Sequence, residues 1–191
     1  LSTGMSKFEE INFAIRTLVK SGTKKNNITV LHCISDYPTN IKNVNLKFIQ
    51  TLKKISKNVG FSDHTLGNQS AALAVALNAK IIEKHFTLNK KMKGPDHAMS
   101  LDINEMKSFV KNIKDTEIIL GKNQKILTKG ENILKNFARK SLIAKKFIKK
   151  GEKFSEYNLT TKRPGDGKSP ILWNKIIGKK AKKNFKKNEK I

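Results

Sequence analysis

Apolar positions along the first 120 residues alternate between two periods. Phe8, Ile11, Ala14, Ile15, Leu18 and Val19 recur at the three-to-four spacing of a helix. Ser6 with Glu9 reads as a capping box at its start, and Gly22 as its stop. Residues 28–33, ITVLHC, are a near-continuous apolar run, the pattern of a strand covered on both faces. Leu46, Ile49, Leu52 and Ile55 return to helical spacing. Residues 59–61 run apolar again, residues 70–77 form an Ala-rich helical pattern, and residues 80–83 form a further short strand. A last helix carries Met106, Phe109, Val110 and Ile113 on one stripe, with Asp102 as cap and Glu105 as its box partner. The opening LSTGM reads as a strand end and loop. The count is four successive βα units, and alternation at this spacing predicts a parallel sheet.

Four such units are half of an eight-fold barrel. A free-standing doubly wound sheet is the alternative. No Gly-rich phosphate fingerprint follows any strand, which argues against dinucleotide binding. Near residue 121 the pattern changes. Residues 121–131 read as a polar linker. Residues 132–191 hold short apolar pieces broken by Gly151, Pro164, Gly165, Gly167, Pro170 and Gly178. They predict a small, loop-rich, mostly β module with a marginal core that packs on another surface.

Charge adds one question. The net charge is +25, and a basic balance suggests nucleic acid first. Only Arg16, Arg139 and Arg163 are arginines among forty basic residues, whereas bidentate base reading depends on Arg. The lysines spread along the whole chain, so the pattern argues for a solvated surface. No run of 18 apolar residues predicts a membrane span. The start lacks the regions of a signal peptide and does not open on Met, so the chain is expected to be a fragment of a cytoplasmic protein. The single cysteine, Cys33, reads as a buried small apolar residue.

Candidate chemistry concentrates in residues 60–100. Three of the four histidines lie there: His64, His85 and His97. His64 and His85 each follow a predicted strand, one βα unit apart. Sites in parallel α/β folds are built at those strand ends. Neighbouring strands lie about 4.8 Å apart, within reach of one shared cation. Neutral imidazoles suit Zn, Mn, Fe or Co. Asp63, Glu83 and Asp96 are near in sequence and are candidate ligands or supports. Ser2, Thr3, Ser35, Ser62 and Thr65 fall at or just past strand ends, where hydroxyls and loop N–H groups make a phosphate cradle. Gly94-Pro95-Asp96-His97 is a turn presenting an acid and an imidazole. Arg163, in KRPGDG, stands out against the lysine background as an anion or carbonyl contact.

The motifs LSTGM, LHCISDYPT, GFSDHT, EKHFTLNKKMKGPDHAMSLD, ARKSLIAKK, KKGEKFSEYNLTTKRPGDGKSP and IIGKKA occur in one order. Together they resemble the sialic acid (nonulosonate) synthase family. The resemblance implies the second half of a TIM (β/α)8 barrel over residues 1–120, followed by a SAF domain, similar to type III antifreeze protein, over 132–191. It implies an enzyme that condenses phosphoenolpyruvate with an N-acetylated mannosamine-type sugar, with a divalent metal, manganese first and magnesium or cobalt as alternatives. It implies a homodimer whose SAF domain reaches the partner's barrel. The resemblance places metal ligation on His64 and His85 and phosphoenolpyruvate contacts on Ser2, Ser35 and Ser62, although the family often has Asn where Ser35 stands. It places Tyr37 and Asp96 near the sugar and the chemistry, and Arg163 and Phe137 on the N-acetyl group. The expected lysines of the phosphate grip are absent, so these 191 residues are expected not to turn over alone. A basic nucleic-acid-binding module and an inert fragment are the competing readings.

Overall fold

The computed structural model describes all residues, 1–191, as two compact units, Leu1–Lys122 and Asn123–Ile191. In the first unit helices and strands alternate: α1 (Phe8–Lys20), β1 (Thr29–Cys33), α2 (Phe48–Leu52), β2 (Asn58–Asp63), α3 (Gln69–Ala76), β3 (Ile82–Lys84) and α4 (Ile103–Leu120). The strands form a parallel sheet in the order β1-β2-β3, and Ser2 adds a parallel bridge to Leu31 on the outer side of β1. The strand expected around LSTGM is therefore a single bridge, held by Thr3 N–H on the Leu31 carbonyl and Leu31 N–H on the Leu1 carbonyl.

Side chains alternate across these strands. Val30, Val59 and Phe61 face the helices and join Ile11, Ile15, Val44, Ile49, Leu52 and Ala74 in one core. Ile49 and Leu52 are fully buried, worth about 1.5–3 kcal/mol each. The opposite face carries Leu31, Cys33, Gly60, Ser62 and Glu83 in register. A Cβ on Gly60 would lie 2.5 Å from both the Ile81 carbonyl and the Leu31 side chain, so glycine alone permits this close approach.

Three local expectations shift. The cap of α1 lies one residue later than Ser6 and Glu9: Lys7 N–H donates to Glu10 Oε2 at 2.6 Å. Ser6 Oγ instead bonds the Gly4 carbonyl inside a turn where Met5 has φ 59°. The helix around Leu46 and Ile55 shrinks to one turn of α-helix flanked by i→i+3 bonds, which keep the apolar stripe at shorter reach. On α4 the Asp102–Glu105 box forms as expected, but only Phe109 of the stripe is buried and Val110 is exposed.

In the second unit, α5 (Lys129–Ala138) begins inside the segment expected to be linker, because Thr128 and Glu131 make a reciprocal cap. β4 (Ser141–Ala144) and β5 (Leu159–Lys162) pair antiparallel, and a short α6 (Trp173–Ile176) follows. Their core is Leu142, Ala144, Ile148, Phe154, Leu159, Ala181 and Phe185. No helix of the chain is long and apolar enough to cross a membrane.

Candidate active site

His64 is the residue after β2 and His85 the residue after β3. The parallel register Asp63↔Lys84 sets the two histidines side by side. Their ring centroids are 5.0 Å apart and their planes nearly perpendicular. Tyr37, from the loop after β1, completes the group. It stacks on His85 at 4.3 Å and meets His64 edge-on at 5.3 Å. Three consecutive strand ends thus contribute one ring each.

The loop after β1 is tied to His64 twice. His64 Nδ1 donates to the Ile34 carbonyl at 2.7 Å, and Thr39 N–H donates to the His64 carbonyl at 2.8 Å. A carbonyl can only accept, so the tautomer assigned from this bond has its proton on Nδ1. The Nε2 lone pair is thereby kept for a Lewis acid, the usual arrangement of a metal-binding imidazole. On the other ring, His85 Nδ1 lies 3.9 Å from Asp96 Oδ2. The carbonyl of Asp96 accepts from Met99 N–H, Ser100 N–H and Ser100 Oγ, which anchors that loop.

No three His, Cys, Asp or Glu side chains are arranged so that they could hold a metal ion by themselves. The donor set is two imidazoles with an aromatic wall. It fits a divalent cation that keeps open positions for other donors, and it does not fit a closed structural zinc site. Of the three carboxylates considered as ligands or supports, only Asp96 stands beside a histidine. Asp63 is fully buried against Lys84, and Glu83 accepts a hydrogen bond from Ser62 Oγ at 2.7 Å. His97 bonds Thr87 Oγ1 at 2.8 Å.

The expected serines share the sheet face away from the helices. Ser2 pairs with Leu31, Leu31 with Gly60, Cys33 with Ser62, and Ser62 with Glu83. Ser35 lies two residues beyond Cys33, and a Cβ on Gly4 would sit 2.1 Å from its hydroxyl. Glu83 beside Ser62 is an unfavourable neighbour for a phosphate, so Ser62 must exchange that bond to serve one. In the second unit, Arg163 Nε donates to the Ala138 carbonyl at 2.8 Å, next to Phe137, which is 68% exposed. Cys33 is buried, as expected.

Two features escaped the sequence reading. His32 is a core histidine on the helix face. Its ring lies between Phe48 and Phe61, Nε2 donates to the Val44 carbonyl at 2.6 Å, and its buried Nδ1 has no partner. Burial holds its pKa below the usual histidine value, only partly offset by that carbonyl. Lys84 is the second. The EKH motif displayed it, but only the cross-strand register shows that it faces Asp63.

The model of the NeuB family matches residues 1–125, and that of the SAF domain matches residues 139–191. An N,N'-diacetyllegionaminic acid synthase of Campylobacter jejuni is 50% identical over all of this chain and 58% of its own length. A pseudaminic acid synthase of the same organism is 43% identical, covering 97% of this chain and 54% of its own. The crystal structure of an N-acetylneuraminic acid synthetase from Leptospira borgpetersenii superimposes with a TM-score of 0.61 at 34% identity, over 70% of this chain and 46% of that one. The chain thus spans little more than half the length of the curated relatives it matches. The βα units of residues 1–122 are those of a TIM barrel, as the sequence predicted.

Proposed function

Since this chain belongs to the NeuB family and carries a SAF domain, we propose that it serves a nonulosonate synthase that joins phosphoenolpyruvate to an N-acetylated mannosamine-type sugar. The paired imidazoles of His64 and His85, walled by Tyr37, are the observation that carries this reading. In the reaction, C3 of phosphoenolpyruvate bonds to the sugar aldehyde carbon, and the aldehyde oxygen takes up a proton. Water adds at C2, and phosphate leaves to give the 2-keto acid.

His64 and His85 would hold the divalent cation, manganese first. Bound there, it would polarise the sugar carbonyl as a Lewis acid. Tyr37 restricts the rings to one orientation and presents a flat wall to the substrate. Asp96, exposed beside His85, is placed to accept a sugar hydroxyl or to move a proton. Ser2, Ser35 and Ser62 line the sheet face on which the phosphate would lie, with loop N–H groups around it. Arg163, from a partner subunit's SAF domain, would read the N-acetyl group together with Phe137 at the domain junction, so the working form would be a homodimer, and its location would be the cytoplasm. The acceptor is of the diacetamido type, in keeping with the legionaminic acid synthase among the relatives.

The test is phosphate release by the protein as expressed from its gene, with manganese, phosphoenolpyruvate and a panel of N-acetylated hexoses. Turnover with at least one acceptor is expected, along with a loss of at least 100-fold in His64→Ala and His85→Ala. Equal activity in both variants would sink the proposal. Residues 1–191 produced by themselves are expected to release no phosphate, because the relatives carry further residues that this stretch does not match.

A further inference from the structure

At the C-terminal edge of β2, two successive residues meet their register partners on β3 through side chains, one on each face of the sheet. On one face Ser62 Oγ bonds Glu83. On the other, Lys84 Nζ lies 3.0 Å from Asp63 Oδ2, with the two side chains 3% and 0% exposed. Asp63 Oδ1 also accepts from Thr65 N–H at 2.9 Å and from Thr65 Oγ1 at 2.7 Å. Lys84 Nζ donates in addition to the Thr65 carbonyl. The Phe109 ring lies 5.8 Å from the ammonium and covers it from the helix side.

A buried ion pair is weak evidence for stability, because desolvating two charges costs about as much as their attraction returns. Its location carries more. His64 stands between Asp63 and Thr65, both of which are gripped by Lys84, and His85 is the residue after Lys84. The registered pairing of β2 with β3 ends at Asp63–Lys84. Past that point the His64 carbonyl is held by Thr39 N–H and the His85 carbonyl by Leu101 N–H, and the direct tie between the two strand ends is the grip of Lys84 on Asp63 and Thr65.

We infer that Asp63, Lys84 and Thr65 form a positioning clamp that sets the separation of the His64 and His85 imidazoles for one shared cation. The inference rests on the reading of those histidines as metal ligands. The clamp is charged because an ammonium offers three donors from one point, enough to hold a carboxylate and a carbonyl together. None of its three residues is among the side chains that would hold the cation. They act through the histidines.

The experiment measures manganese affinity, by the free-ion resonance signal, in the protein as expressed from its gene. Thermal midpoints are followed by circular dichroism. The double variant Asp63→Asn/Lys84→Met removes both charges together and leaves no buried ion unpaired. It is expected to fold and to bind manganese at least tenfold more weakly. Thr65→Val keeps both charges and loses one hydrogen bond to Asp63. It is expected to keep its thermal midpoint and lose affinity about threefold, and it decides the matter if the double variant does not fold. Wild-type affinity in either folded variant overturns the clamp, whose residues would then serve stability alone. His64→Ala and His85→Ala separate the two readings. If they abolish binding while the clamp variants do not weaken it, only the clamp fails. If they leave manganese binding unchanged, the metal reading fails with it.

Discussion

At the scale of single residues, the four histidines of this chain divide by the face and strand position that each occupies. His64 and His85 sit past strand ends with Tyr37 against them. His32 sits inside a strand, on the helix face, between two phenylalanines. The consequence for His32 is a pH dependence of stability. Its folded pKa is depressed below the ordinary histidine value of 6.5, so at mildly acid pH the unfolded chain binds the proton that the folded chain excludes. Stability from this group is present above pH 6.5 and is lost as pH falls towards the folded pKa. Urea midpoints are expected to drop between pH 7.5 and 5.5. The drop should shrink in His32→Gln, whose amide nitrogen takes the place of Nε2 against the Val44 carbonyl without titrating. An unchanged drop would place the effect in other groups.

At the scale of elements, the strand ends do the positioning and the helices supply the cover. α4 is the longest helix, and its N-terminus is fixed by Asp102, whose carboxylate accepts from Asn104 and Glu105 N–H at 2.9 Å. Glu105 returns the bond to Asp102 N–H, also at 2.9 Å. Replacing Asp102 by Ala is expected to cost about 1 kcal/mol in a urea titration. A loss near zero would mean that packing of Phe109 alone holds the helix. Much of this was legible beforehand. The Asp102–Glu105 signature and the β–α alternation are written in neighbouring residues. The cap at Ser6 was misread for an equally local reason: Met5 takes a left-handed φ, the turn extends by one residue, and Glu10 rather than Glu9 reaches back. The start of α5 inside the expected linker has the same kind of cause, since Thr128 and Glu131 form a box in a segment whose composition reads as loop.

At the scale of the whole molecule, the charge of +25 is the feature most open to misreading. It is carried by lysines dispersed over both units, and the site described here uses two imidazoles, a phenol and a carboxylate. Non-specific attraction to a polyanion still follows from such a charge. Duplex DNA of random sequence is expected to retain the protein at about 50 mM salt and release it by about 200 mM, with no sequence preference. His64→Ala should behave as the wild type in this assay. Sequence-selective retention that survives physiological salt would revive nucleic acid as a partner.

The sequence by itself determined the order of strands and helices and the placing of a histidine after each of two strands. These depend on periods of two and 3.6 residues and on caps within three or four positions. Only the tertiary structure decided that Tyr37 walls the two rings, that Ile34 sets the His64 tautomer, and that Asp63 belongs to Lys84 and not to a cation. Those facts join residues 21 to 48 positions apart. They depend on strand register and on the direction of side chains, which no local pattern encodes.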